Sequence, residues 1–174
     1  MLAGDGSSLS LVDTASGTTT PYPLGVRCSQ VAAQQGRVVA TASLADTVLF
    51  VDAGTGKVIT RVRVHAPRLA TIAGTDVWVD SEDGLVRLGG DGTVHTVYPG
   101  LTAGLEGDLT TAAGVVLLRA SDGTISPIDA ASGRLLERIT PLTAGSMIAA
   151  YGSVWLTSND DGTLTRLRAW APPA

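Results

Sequence analysis

Short segments of alternating apolar and polar residues run along the chain, each closed by a glycine-bearing turn. Thr124-Ile125-Ser126-Pro127-Ile128-Asp129 and Thr163-Leu164-Thr165-Arg166-Leu167 follow this pattern. A period of two puts alternate side chains on opposite faces of a strand, so each segment predicts a strand with one face buried. No window carries the competing helical period.

The segments repeat in three registers. A glycine precedes an apolar run at Gly36, Gly74, Gly114 and Gly152, with spacings of 38, 40 and 38. These predict the first hairpin turns. An acidic-glycine turn follows at Asp5-Gly6, Asp83-Gly84, Asp122-Gly123 and Asp161-Gly162, spaced 78, 39 and 39, and Asp46-Thr47 fills the missing slot. The third register is a turn of the type Asp-x-x-Ser/Thr-Gly: Asp13 to Gly17, Asp52 to Gly56, Leu88 to Gly92 and Asp129 to Gly133. An aspartate caps such a loop through its side chain, and glycine supplies the positive φ that closes it. A last strand follows, as in Lys57 to Val64 or Arg134 to Thr140.

Each period of about 39 residues therefore predicts an inner, a second, a third and an outer strand joined by short turns. A four-stranded unit of that size cannot cover both faces of its own sheet, so neighbours must stack on it. The expected fold class is all-β, a β-propeller of four-stranded antiparallel blades, about four of them, within one domain over residues 1–174. The predicted blades span approximately 1–25 (the C-terminal half of a blade), 26–65, 66–100, 101–141 and 142–170. A β-sandwich or up-and-down barrel leaves the four-strand period unexplained.

Gly152-Ser153-Val154-Trp155-Leu156-Thr157, followed by Asp161 to Leu167, resembles the blades of bacterial YVTN-type and streptogramin-lyase-like propellers, and Val77-Trp78-Val79-Asp80 repeats the match. Asp122 to Arg134 and Val51 to Lys57 resemble the blades of pyrroloquinoline-quinone-type propellers. Such motifs specify turns and packing. Six to eight blades would need roughly 240 to 320 residues, so the chain reads as a slice of a longer propeller that begins inside a blade, with that blade's first two strands missing. Two chains completing one ring, or a closed four-bladed ring in which N-terminal strands finish the C-terminal blade, are the alternatives. The resemblance to YVTN-type proteins implies a cell-envelope or secreted setting.

Composition fits this picture. Apolar residues make up 44% of the chain but only seven residues are aromatic, so Val, Leu, Ile and Ala must build the core. Glycine is abundant at 21 residues and charged residues are scarce at 16%, as many tight turns require. A net charge of −4 with scattered basic residues leaves no footprint for nucleic acid. The lone Cys28 excludes an intrachain disulfide. No stretch reaches the roughly 18 apolar residues of a membrane span, and the first basic residue is Arg27, so the basic segment of a secretion signal is absent.

Candidate chemistry is sparse. Gly54-Thr55-Gly56-Lys57 resembles the end of a phosphate loop, but that motif needs glycine where Val51 stands and Ser or Thr where Val58 stands. The turn reading wins. Asp80, Glu82 and Asp83, and separately Asn159, Asp160 and Asp161, gather oxygen ligands near glycines without the glycine and glutamate spacing of a calcium loop. They are weak metal candidates beside their reading as solvated turns. His65 and His95 are the only histidines and the only candidate catalytic groups, at or just beyond the ends of outer strands one blade apart. Arg61, Arg63 and His65 alternate along one face, which charges an exposed edge against aggregation. Trp78 and Trp155 occupy equivalent second-strand positions expected in the core, and Cys28 is expected to be a buried small residue. No nucleophile elbow and no cofactor fingerprint occurs. The expectation is a non-catalytic scaffold binding a protein or small ligand through its face loops, with two copies able to complete a ring. The alternative is a streptogramin-lyase-like enzyme with a central-channel site to which His65 or His95 contributes.

Overall fold

The computed structural model describes residues 2–3, 6–139, 145–158 and 161–168. Among these, every strand pairs antiparallel with its chain neighbour, giving five consecutive sheets. Sheet 1 holds β1 (Leu2–Ala3), β2 (Ser8–Val12) and β3 (Thr19–Pro23). Sheet 2 holds β4 (Gln30–Gln34), β5 (Arg37–Ala42), β6 (Thr47–Asp52) and β7 (Val58–Arg63), and sheet 3 holds β8 (Leu69–Ala73), β9 (Asp76–Ser81), β10 (Gly84–Leu88) and β11 (Val94–Pro99). Sheet 4 holds β12 (Asp108–Ala112), β13 (Val115–Arg119) and β14 (Ile125–Asp129), and sheet 5 holds β15 (Met147–Ala150), β16 (Ser153–Thr157) and β17 (Leu164–Arg168).

In the four-stranded sheets 2 and 3 the three registers of turns are the three connections between strands. In the third, Asp52 Oδ1 accepts from the Thr55 N–H and hydroxyl, both at 2.7 Å, and Asp129 Oδ1 does the same with Ser132 at 2.7 and 2.6 Å. The glycine that ends this turn is also required by packing. A Cβ on Gly56 would lie 2.0 Å from the Tyr22 ring of the preceding sheet, and one on Gly133 would lie 2.7 Å from Tyr98 Oη, which donates a 2.7 Å hydrogen bond to the Gly133 carbonyl.

The core lies between sheets rather than within any one. Leu9 and Leu24 pack with Val38, Ala40, Leu49 and Val51 between sheets 1 and 2. Val39, Val48 and Phe50 meet Ile72, Val86 and Leu88 between sheets 2 and 3. Trp78 and Leu85 meet Val116, Leu118 and Ile128 between sheets 3 and 4, and Leu117 and Ile125 meet Met147, Val154 and Leu156 between sheets 4 and 5. At roughly 1.5 to 3 kcal/mol for each fully buried large apolar side chain, these four layers are the main source of stability. Cys28 is buried, as expected.

Two expectations need correction. Leu2 and Ala3 pair with Leu9 and Ser8, so sheet 1 carries a short second strand and only its inner strand has no counterpart among the described residues. The segment after Gly133 forms no fourth strand in sheet 4, only isolated bridges from Ile125 to Ile139 and from Ile128 to Leu135. Pro127 supplies a carbonyl to the Leu136 N–H at 2.9 Å but has no N–H to return. Leu136 and Ile139 both pack on the core, and a spacing of three cannot hold two side chains on one face of a strand. Thr140 lies outside the described residues. The N-terminal strands form their own sheet and do not complete sheet 5.

Candidate functional site

Sheet order puts β4, β8, β12 and β15 at one edge of their sheets, and these inner strands are tied to one another. The Gln30 amide bridges two of them: its oxygen accepts from the Ala70 N–H at 2.9 Å and its nitrogen donates to the Ala70 carbonyl at 3.3 Å. The Thr71 and Thr111 hydroxyls lie 3.0 Å apart, and the Ala149 N–H donates to Thr110 Oγ1 at 3.3 Å. Small and hydroxyl-bearing residues here let three strands converge on an axis. The result is a cavity of about 780 Å³ bordered by Ala33, Gln34, Thr71, Thr75, Thr111 and Arg87. That volume falls within the range of small-ligand sites, roughly 300 to 1,000 Å³.

The rim is fixed by arginines that reach from one sheet to the next. Arg37 donates to the carbonyls of Thr75 and Gly74 at 2.8 and 3.2 Å. Arg87 pairs with Asp76 at 2.6 Å, donates to the Ala131 carbonyl at 3.1 Å and lies 5.3 Å above the Trp78 ring, which stacks on Tyr98. Guanidinium over indole adds to the burial of the ring.

At the opposite end of sheets 2 and 3, the fifth position of the second strand joins the sheet to the next segment. Thr41 donates to the Arg68 carbonyl at 3.0 Å. Asp80, fully buried, accepts from Arg68 Nε at 2.9 Å, from the Thr102 hydroxyl at 2.8 Å and from the Ala103 N–H at 2.8 Å. Arg68 also donates to Thr102 and to the Ser81 carbonyl. In sheet 4 the charges are exchanged: Arg119 holds Asp108 at 2.9 Å, and Asp108 takes the Met147 N–H at 2.8 Å.

The residues singled out in the sequence are thus dispersed. Asp80 is committed to an ion pair and two further donors, while Glu82 and Asp83 form the turn between β9 and β10. His65, just past β7, meets Asp83 at 3.2 Å on the surface, and the carboxylate holds its pKa above the usual histidine value. His95, at the start of β11, lies 3.8 Å from Asp76 at the other end of the sheet. Neither histidine reaches the inner strands. Asp161 caps its own turn through Thr163 at 2.7 Å. Asp5, Asn159, Asp160 and Trp170 lie outside the described residues. Among the described residues no three His, Cys, Asp or Glu side chains converge on a metal position. Arg61 and Arg63 project from β7, but His65 has left the strand and turned toward Asp83. Burial of Cys28 pushes its thiol pKa up.

No family model and no curated protein matches the sequence. Solved structures do match the fold. The computationally designed protein Ika4 superposes with a TM-score of 0.67 at 19% identity, over 83% of this chain and 92% of that one. BamB from Moraxella catarrhalis gives 0.68 at 15% identity, over 95% of this chain and 56% of that one. Hydrazine synthase from Kuenenia stuttgartiensis gives 0.65 at 15%, over 88% and 51%. The fold is a β-propeller. Its sheets are blades, and the chain spans about half the length of the two natural chains. No helix among the described residues is long and apolar enough to cross a membrane.

Nothing in the residue pattern announces the cavity. Much of its lining comes from inner strands whose Ala and Thr residues carry no chemical signature, although an Ala or Thr recurs three positions ahead of each first-turn glycine.

Proposed function

We propose that this chain is a non-catalytic propeller scaffold that binds a short peptide or a neutral polar small molecule at its axial cavity. The observation that carries this reading is the 780 Å³ space bordered by three inner strands, with hydroxyls, an amide and backbone groups on offer and Arg87 already engaged by Asp76. Rigid scaffolds commonly bind through such openings and the loops around them. The YVTN-type and streptogramin-lyase-like resemblance of the blade motifs supports a repeat scaffold, and completion of the ring by a second copy belongs to the same reading. The lyase alternative draws no support from the histidines, which sit on outer-strand ends at opposite faces.

A thermal-shift and calorimetric screen of short peptides and neutral polar compounds tests the reading. A binder from that panel should lose at least tenfold in affinity in Thr111→Trp and Ala33→Trp, and lose nothing in the double variant His65→Ala, His95→Ala. A panel without a binder, or a binder indifferent to both tryptophans, would sink it.

A further inference from the structure

The inner strands β4, β8, β12 and β15 are each bonded to their own sheet on one side only, so alternate residues turn their N–H and C=O groups toward the axis. In β8 the Gln30 amide fixes which residues those are. Its oxygen takes the Ala70 N–H at 2.9 Å and its nitrogen donates to the Ala70 carbonyl at 3.3 Å. Ala70 therefore faces away from β9, and so does Ile72 two residues on. A carboxamide carries the donor and the acceptor of a peptide unit, and Gln30 fills the edge at Ala70 as a residue of an added strand would.

No described residue does the same for Ile72. Cross-strand register makes Ile72 the counterpart of Ala149 in blade 5, whose N–H is taken at 3.3 Å by the Thr110 hydroxyl of the preceding inner strand. The place of Thr110 is held in blade 2 by Ala32, which has no hydroxyl to offer. Neither axis-facing group of Ile72 meets a partner among the described residues, and Ile72 borders the 780 Å³ cavity. The open edge is one residue long, because the Gly74 carbonyl beyond it takes Arg37 Nη2 at 3.2 Å. Ala33 and Thr111, on the inner strands to either side, are small enough to leave room in front of it.

We propose that the cavity takes a short extended peptide, one residue of which pairs with Ile72 as in a β-ladder: its N–H donates to the Ile72 carbonyl and its carbonyl accepts the Ile72 N–H. Main-chain hydrogen bonds give such strand addition its affinity, whatever the side chains. The surroundings suit a neutral backbone, since the charge on the cavity border belongs to Arg87, which Asp76 engages at 2.6 Å. The proposal rests on the cavity reading and narrows its ligand to a peptide recognised through its main chain.

Acetylated and amidated tetrapeptides of Gly, Ala, Ser and Thr, titrated calorimetrically into the full chain, provide the test. The tightest binder is then N-methylated at one residue at a time. Methylation at a single position, the residue opposite Ile72, should cost about tenfold in affinity, the scale of one lost hydrogen bond, and methylation elsewhere should cost clearly less. Ala32→Thr, which gives Ile72 the hydroxyl that Ala149 has, should weaken binding by a similar factor with unchanged far-ultraviolet circular dichroism, whereas the isosteric Ala32→Val should not. Amide hydrogen exchange at Ile72 should slow when the peptide is added. A panel without a binder, methylation tolerated at every residue, or equal weakening by Ala32→Thr and Ala32→Val would overturn the pairing. The cavity reading fails on different grounds: a peptide indifferent to Thr111→Trp and Ala33→Trp binds elsewhere and defeats both ideas. A peptide lost in both tryptophan variants but indifferent to N-methylation keeps the cavity and overturns the pairing alone.

Discussion

Asp80 shows how residue type alone misleads. An aspartate two positions before Glu82-Asp83 reads as a cation ligand, yet its oxygens are saturated by Arg68, the Thr102 hydroxyl and the Ala103 amide. Its counterpart Thr41 does the same linking work through a hydroxyl, and in blade 4 Arg119 holds Asp108, which makes the link to Met147, so no one-residue signature could have flagged the position. Removing one partner of a buried pair leaves the other uncompensated, at a cost of about 3 to 5 kcal/mol. Asp80→Ala should therefore lower the unfolding free energy by that order in a denaturant titration, with the effect independent of added divalent cations. A wild-type protein stabilised by calcium or magnesium, with that gain lost in Asp80→Ala, would restore the metal reading.

Among elements, the turns were the most legible, because their chemistry is local. Asp52 and Asp129 cap their loops as their spacing to Thr55 and Ser132 implied, and those hydrogen bonds hold both carboxyls below the usual aspartate range. A carboxyl whose folded pKa is depressed stabilises the fold above its unfolded value of about 3.9 and loses that contribution as pH falls through the folded value. His65, raised by Asp83, acts in the opposite sense: its contribution is present below about pH 6.5 and fades as pH rises through the folded value. Melting temperature should accordingly fall on acidification below about pH 4. Asp52→Asn with Asp129→Asn should melt lower at pH 7 and show a shallower acid limb, and an acid limb identical to wild type would contradict the capping account. What stayed hidden was the failure of the outer strand in blade 4. It depends on Pro127 lacking an N–H toward a segment whose apolar spacing is three, a tertiary mismatch that no turn motif announces.

For the whole molecule, the repeat disclosed that blades stack but not which blades would lack a neighbour. Trp78 and Trp155 carry the same motif, the same register and the same arginine overhead. Only the presence of blade 4 makes one of them core. Their difference therefore measures a blade junction with sequence and local structure held nearly constant. Trp78→Ala removes a fully buried ring stacked on Tyr98 and should cost about 3 to 5 kcal/mol, the cavity left behind included. Trp155→Ala gives up a partly buried ring, its N–H bond to the Ala150 carbonyl at 3.2 Å and the Arg166 contact, and should cost about 1 to 2 kcal/mol, clearly less than Trp78→Ala. Paired chemical denaturations of the two variants, read by circular dichroism because the mutation removes a fluorophore, give both values. Equal losses would mean that blade 5 is already sealed within one chain, and the stacking logic derived from blades 1 to 4 would then fail at its last step.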